Sequence, residues 1–568
     1  MPLDAATDSV ARKSFVDEVK RQGNQLFDKR GNLLTLWQCL AEQFYVERAD
    51  FTVTRTLGED MAAHLMSSYP LLMRRDLGNA FSAMLRPSAK PWFKIRSSRP
   101  DKEVTDARQW LDWVSGLQRN AMYDQLANFT RATKETDHDF ATFGQGVIEH
   151  DLYRPRDGST PHLLFRNWHL RDVAWCEGVT GKTDTIYRRW KPTALELKRM
   201  FGDRIHQKVK EKLTQTNPEP YAEFNCWHVI LPTDLYREMP GAKPIRHPYV
   251  SIFLDVDNQH EMECVGQWTK RYTIPRWQTV SGSQYAHSPA TVAALPDGRL
   301  IQAMTLVLYE AGEKGVNPPT IATKDVVRSD IALYAGGTTW VDADYDERLG
   351  DALRTMTLDK TGLQFGLELI RDIRNTLKDS FFLNKLDLPP AGGPNMTAYE
   401  VAQRVQEYIR NALPLFEPVE NDYNGDMCQD VFTILMQNSP EMRNSVPKSI
   451  QGTEIRFQFE SPLREAADRA KAGQFVEAGQ ILAQATTLDP TTALIVDGHK
   501  ATRDSLLAVA PADWLRTEDT VEQMIENEKA KQQQQELLAM MAAGTKIAKT
   551  GAEAAATASE SLPGLGLS

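Results

Sequence analysis

Apolar residues recur at three- and four-residue steps along the first 135 positions, the spacing that keeps one face of a helix dry. Between Phe15 and Val46 the stripe is Leu26, Leu33, Trp37, Leu40 and Phe44. A second helical run over 59–86 carries Leu65, Leu72, Leu77, Phe81 and Leu85 and stops before Pro87. After a short extended piece at Pro91–Ile95, a third helix is predicted over 101–134, with Trp110, Trp113, Val114, Leu117, Leu126 and Phe129 on its apolar side.

Between about 140 and 280 the pattern shortens. Segments 146–150, 172–175 and 185–188 are β-branched and aromatic with Gly and Pro between them, which predicts strands of an antiparallel sheet. A helix over 193–213 interrupts them. From about 295 helices return. Leu300–Glu313 is stopped by Gly315 and Asn317-Pro318-Pro319. A second, over 360–384, carries Leu363, Leu367, Ile370, Ile373, Leu377 and Phe381. The 318–358 stretch between them is irregular or β, with Gly336, Gly337 and Trp340 in a turn. The Pro- and Gly-rich run Asp387–Met396 cannot continue a helix. Thr397-Ala398-Tyr399-Glu400 then opens another with a capping box, and Pro414 should kink or break it before it resumes to Gln437. Helices are expected at 463–486, 491–509 and 517–543, and the Ala- and Gly-rich end reads as a solvated tail. The fold class is α+β, without βαβ repeats.

Composition narrows the function classes. With 568 residues, 41% hydrophobic and 25% charged, the chain has room for about four domains and ordinary globular usage. Collagen-like, disulfide-scaffold and wholly disordered classes are excluded. The net charge of −10 denies the chain the general basic face of a nucleic-acid gripper, though a local basic strip or a channel remains open. Cysteines at 39, 176, 226, 264 and 428 form no CxxC pair, which points to a reducing compartment and against zinc knuckles. The opening residues have no apolar signal core, and no stretch of about 18 residues is apolar enough for a membrane span. A soluble, intracellularly made protein is expected.

Candidate chemistry is sparse. Gly181-Lys182-Thr183 ends like a Walker A loop, but the Gly required five residues before Gly181 is Cys176, and Thr185–Trp190 behind it is strand-like. A hairpin, strand 172–177 and strand 185–190, is the expectation. Asp137-His138-Asp139 cannot converge on one ion, because adjacent residues point in different directions, so a polar helix end is expected. No HExxH, GxSxG or Cys/His pairing supports hydrolysis, and no catalytic residue, metal or cofactor is implied. The aromatics of 160–280 are read as sheet core rather than base-stacking platforms.

Several stretches resemble the portal proteins, the head-to-tail connectors of short-tailed, podovirus-type bacteriophages. They are Tyr285–Asp297, Glu310–Thr320, Phe381–Lys385 with the Pro/Gly loop after it, and Met396–Arg404, with weaker matches at Trp92-Phe93 and Phe143-Gly144-Gln145-Gly146. The resemblance spans roughly 15–440, and 381–404 is its most specific block. The 387–395 run is richer in Pro and Gly than the family's loop, and Tyr399 stands where a small polar residue is expected.

The resemblance implies a wing over 1–295, stem helices at 296–314 and 360–384, and a clip at 315–359. A tunnel loop at 385–396, a kinked helix at 397–439, a crown at 440–544 and a flexible tail at 545–568 follow. It implies a homo-oligomeric ring, usually of twelve subunits, at the capsid vertex. Implied partners are the terminase large subunit, tail adaptor proteins, major capsid and scaffolding proteins, and double-stranded DNA passing through the channel. Channel-facing candidates are Lys385, Pro389, Pro390, Gly392, Gly393, Pro394 and Asn395; clip candidates are Gly336, Gly337, Trp340, Asp342 and Asp344. The competing classes are a terminase-like P-loop motor ATPase and an internal virion or scaffold protein.

Overall fold

The computed structural model describes residues 3–56, 58–88, 90–99, 105–155, 158–316, 318–322, 340, 353–355, 361–386 and 419–459, with single positions at 479, 502, 521, 524, 527, 528 and 531. The chain divides into two compact units, one of Met1–Ser98, Trp110–Val446 and Gly452–Ala466, the other of Arg99–Gln109, Pro447–Gln451 and Ala467–Ser568. All the sheets among the described residues lie in the first.

The stripe expected as one helix over 15–46 forms two, α1 (Leu3–Lys29) and α2 (Gly31–Phe44). The break is Arg30. Its guanidinium is buried and donates to the carbonyls of Leu170 and Val173, each at 2.6 Å, and to that of Arg171. Helix α3 is Tyr69–Leu85, ten residues shorter at its start than the apolar spacing suggested. Pro70 suits a first helical turn, and a side chain from elsewhere takes the backbone at 66–67. Strand β1 (Phe93–Ser97) follows. The helix expected over 101–134 is α4 (Thr105–Met122) and α5 (Phe129–Phe143). Asp124 caps a short turn by accepting from the Leu126 N–H, and Asn128 takes a left-handed conformation, which reverses the chain.

Strands β2 (Ile148–Tyr153) and β3 (His162–Asn167) pair antiparallel. Next come β4 (Val173–Glu177), β5 (Thr183–Trp190), the short helices α6 (Ala194–Phe201) and α7 (Gln207–Thr214), β6 (Cys226–Pro232), α8 (Thr233–Arg237), β7 (Tyr249–Asp255), β8 (His260–Gln267) and β9 (Tyr272–Thr273). The helix expected over 193–213 is thus split at Gly202, whose φ of 64° no helix interior tolerates. One antiparallel sheet runs β4-β5-β6-β7-β8, and a second β3-β2-β9.

The larger sheet is covered on both faces, which is why β6 reads as an almost unbroken apolar run. Phe15, Val16, Val19 and Phe27 of α1 pack on Trp227, Val229, Val250, Ile252 and Leu254. Leu197, Phe201 and Val209 from α6 and α7 pack on Cys226 and Phe253, side chains of opposite parity in the same strands. A third aromatic core joins helices to loops: Trp37 meets Phe51, Phe143 and Tyr285, and Phe81 meets Phe140 and Trp277.

Helix α9 spans Pro289–Val316 and so begins eleven residues before Leu300. Strands β10 (Thr320–Ala322) and β11 (Leu353–Thr355) pair antiparallel and lead into α10 (Thr361–Ser380) and the single-turn α11 (Leu383–Leu386). A π-helical turn at Val419–Gly425 runs into α12 (Asp426–Asn438). A short helix, α13 (Pro440–Asn444), precedes β12 (Ile455–Phe459), which pairs with β1. The expected helices at 397–412, 463–486, 491–509 and 517–543 fall on residues outside those described, save the single positions above.

The family-like Phe143-Gly144-Gln145-Gly146 has a plain physical reading. Gly144 ends α5 at φ 72°, and a Cβ there would fall inside the backbone of His287 and Ser288. Its carbonyl accepts from the Trp277 N–H at 2.8 Å, and the Gln145 side chain accepts from the Ala286 N–H at 3.0 Å. The motif is a three-way junction between α5, the strand region and the start of α9.

Candidate functional site

Helices α9 and α10 lie side by side and antiparallel. Gly366 of α10 meets Leu308, while at the other end Gly298 of α9 and Phe381 both contact Phe44. The proximal half of α9 buries Ala290, Thr291, Ala294, Gly298 and Ile301. Small residues on that face let the helix sit directly on the Phe44 ring. Ile370, Ile373 and Leu377 of α10, with Phe381 just past its end, form the matching face. The pair is fixed to the body at two further points. The Gln302 amide accepts from the Met66 and Ser67 N–H groups and donates to the Ser67 carbonyl. The Tyr69 hydroxyl donates to the Arg374 carbonyl at 3.2 Å.

Beyond Ile301 no residue of α9 is fully buried. Leu306, Val307 (56% exposed) and Tyr309 (69%) stand open beside Phe365 (68%) and Leu367 (56%) of α10. A helix apolar on all sides needs partners on all sides. The β10–β11 pair closes the distal end, with Thr320 opposite Thr355. The excursion between these strands holds the expected clip residues. Of these Trp340 is described and is 70% exposed; Gly336, Gly337, Asp342 and Asp344 lie outside the described residues. Lys385 falls in α11, and Pro389, Pro390, Gly392, Gly393, Pro394 and Asn395 lie outside the described residues.

Gly181-Lys182-Thr183 is a hairpin tip. Strands β4 and β5 pair antiparallel with Val173 opposite Arg188, and Gly181 takes φ 74°. The turn N–H groups bond within the hairpin, Gly178 to the Lys182 carbonyl and Gly181 to the Gly178 carbonyl. The Lys182 ammonium donates to Asp426 at 2.8 Å, and Lys270 approaches the other oxygen of Asp426 at 3.2 Å. Burial works against ionisation of Asp426, but the two ammonium groups hold its carboxyl below the usual range. Neither a helix N-terminus nor a free lysine waits for a phosphate here.

Asp137-His138-Asp139 corrects the expectation of a polar helix end. The trio lies inside α5, and both aspartates are buried. Asp137 pairs with Arg86, whose guanidinium also reaches Asn424 at 2.7 Å. Burial pushes the Asp137 carboxyl up to about 6 against the pull of Arg86. Asp139 accepts both ends of the Arg48 fork, at 3.1 and 3.0 Å. His138 accepts from Arg74 at 3.2 Å, and burial, with Arg74 second, lowers it to about 4. The three side chains diverge as adjacent helical residues must.

One constellation has no sequence signature. His228 Nε2 lies 2.9 Å from Ser251 Oγ, and its Nδ1 lies 2.5 Å from the Tyr272 hydroxyl, which also contacts Arg188 and Glu149. The Ser–His geometry suits nucleophile activation. Both residues are buried in the sheet, with the imidazole stacked on Phe253 at 3.9 Å, so no substrate reaches them. Ser251, His228, Tyr272 and Glu149 come from four separate strands, which is why no local motif reports them. Among the described residues no His, Cys, Asp and Glu cluster suits a metal ion, and no helix is long and apolar enough to cross a membrane. The five cysteines are free.

The family of bacteriophage head to tail connecting proteins matches residues 16–512, and the chain belongs to it. A probable portal protein of Bordetella phage BPP-1 is 25% identical over 461 residues, 78% of each chain. The portal protein of Salmonella phage epsilon15 is 22% identical over 553 residues, 94% of this chain and 95% of that one. A chain from the virion of a native gene transfer agent particle is 11% identical and superposes with a TM-score of 0.32, covering 76% of this chain and 91% of its own length.

Proposed function

We propose that the chain is the portal subunit of a tailed phage: it forms the ring at one capsid vertex through which double-stranded DNA is packaged and later ejected. Membership of the head to tail connecting family supports this reading, and the apolar distal surface of the α9–α10 pair carries it at the level of geometry. That surface is uneconomical on a monomer and natural at a repeated contact between copies. In this reading α9 and α10 are the stem, and the excursion closed by β10 and β11 is the clip, which meets the terminase large subunit and then the tail adaptors. The Pro/Gly run at 387–395 is the tunnel loop. Twelve copies, the scaffolding and major capsid contacts, and the boundaries of wing and crown belong to the same proposal. Its role is mechanical rather than enzymatic. A channel that held phosphates firmly would stall DNA, because each neutralised phosphate adds affinity.

The test is the full chain purified without DNA or nucleotide. Sedimentation velocity should give one large closed species, and negative-stain images should show rings with a central hole. A stable monomer at micromolar concentration overturns the reading. ATP turnover abolished by Lys182→Ala would favour a motor instead.

A further inference from the structure

We propose that the contact between α3 and α5 is an acid-sensitive joint, in which protonation of His138 weakens the hold of α5 on α3 and, through α3, the seat of α10. The argument begins with hydrogen-bond polarity. His138 Nδ1 lies 3.2 Å from Arg74 Nη1. A guanidinium has only donors, so Nδ1 must be the acceptor and the ring must be neutral, with its proton on Nε2. An imidazolium offers two donors and would face the guanidinium with no acceptor between them.

Neither partner has room to retreat. Arg74 is fixed by donating to the Phe44 carbonyl at 2.9 Å and by stacking over Tyr45 at 3.8 Å. The ring itself lies against Gly78, one turn further along α3, where any Cβ would overlap the imidazole. Replacing the bond therefore requires the helices to part.

The charges around the ring do not offset the new one. From α3 come Arg74 and Arg75; from the segment at 45–48 come Tyr45, Glu47 and Arg48; from α5 itself come Lys134 and Asp139. Asp139 is the anion that would favour protonation, but its oxygens already serve Arg48 and Asn167. Glu47 lies 3.9 Å from Arg74 and is mostly exposed. Consistent with this balance, burial and Arg74 hold His138 near 4. The link to α10 is direct, since Tyr69 at the head of α3 donates to the Arg374 carbonyl and stacks with its guanidinium at 5.4 Å.

The experiment is hydrogen–deuterium exchange on the full-length protein in its native oligomeric state at pH 7.5 and pH 5.0, with intrinsic rates corrected for pH. Protection of the 69–85 amides should fall roughly thirtyfold at pH 5.0 in the wild type, as expected when the open form takes up a proton that the closed form refuses. His138→Gln, which keeps an acceptor and cannot be protonated, should hold its protection. Equal protection at both pH values in the wild type, or an equal fall in His138→Gln, overturns the proposal. If the variant does not fold, the His138 pKa is read in the wild type from the exchange of its ring C2 proton by mass spectrometry. A value near 4 supports the joint, and one at or above 6.5 overturns it.

Discussion

The side-chain amide of Gln302 brackets Ser67, accepting from its N–H at 2.7 Å and donating to its carbonyl at 2.9 Å. The same amide oxygen accepts from the Met66 N–H at 2.7 Å. A segment that would otherwise extend α3 is held irregular so that α9 has a fixed point halfway along its length. Gln302→Ala removes three bonds and strands backbone donors. We expect a loss of about 1–3 kcal/mol in urea unfolding, with faster amide exchange confined to 60–68 and the distal half of α9. Unchanged exchange there would show that Gln302 is incidental.

Val307→Asp and Phe365→Asp should separate folding from assembly. Both side chains are exposed on the single chain, so each change should alter its unfolding free energy by no more than about 0.5 kcal/mol. A carboxylate buried between copies without a partner costs several times that amount. Sedimentation of either variant should therefore show folded monomer where the wild type forms rings. Rings of normal stability in both would place the subunit contact elsewhere.

Lys182→Ala and Asp426→Ala are not equivalent. Lys182 is two-thirds exposed, and its pair with Asp426 is worth at most about 1 kcal/mol. Asp426→Ala leaves the buried Lys270 ammonium without its carboxylate, at a cost of about 3 kcal/mol. Denaturant midpoints should rank wild type, Lys182→Ala, Asp426→Ala in falling order. Neither the wild type nor Lys182→Ala should turn over ATP in a phosphate-release assay.

Gly144→Ala should be among the most damaging single-methyl additions. The residue has φ 72°, and the new carbon would overlap the backbone of His287 and Ser288, which cannot yield as a side-chain tip can. We expect a loss of more than about 3 kcal/mol, read as insoluble expression or a depressed thermal midpoint. Gly116→Ala, on α4 with nothing within 4 Å, is the control and should be neutral or slightly stabilising.

Acid should destabilise the protein through His228. Burial, with Arg188 second, holds its pKa well below the ordinary histidine value of 6.5, so the folded chain refuses a proton that the unfolded chain accepts near that value. Its contribution is full above pH 6.5 and is lost as pH falls, by up to about 1.4 kcal/mol per pH unit. Asp137 acts in the opposite sense, because its folded value near 6 lies above the ordinary aspartate value of 3.8 and adds stability as pH falls through that window. Urea midpoints measured from pH 7.5 to 4.5 should therefore fall in the wild type, and less steeply in His228→Gln. Identical slopes would refute a neutral buried imidazole.

Local signals carried part of the architecture and long-range ones withheld the rest. The β4–β5 hairpin was legible because Gly181 and the β-branched run behind it act within ten residues. Helix α10 was legible from Leu367, Ile370, Ile373 and Leu377, although Leu367 proves to face outward with Phe365. The breaks at Arg30, before Tyr69 and at Asn128 were not anticipated. Two of the three depend on partners far along the chain: carbonyls at 170–173 for Arg30, and Gln302 for the 66–67 backbone. The third had a local signal in Asp124 and Asn128, which the apolar spacing around them masked. The three side chains of Asp137-His138-Asp139 point apart as adjacency on a helix requires, yet nothing local revealed that Arg86, Arg74 and Arg48 would be their partners.

The pairing of β1 with β12 places Phe93 opposite Phe459 and stacks Trp92 against the Phe459 ring at 6.2 Å. These strands are separated by some 360 residues of chain. At about 5–20 residues per second of synthesis, Trp92 and Phe93 wait roughly 20–70 s for the strand that covers them. During that interval each nascent chain presents an unpaired apolar strand, in a protein made to meet copies of itself. The order of events that avoids mispairing therefore puts closure of each subunit by β12 before contact between subunits, and a polypeptide that ends short of Phe459 is one that never reaches that point.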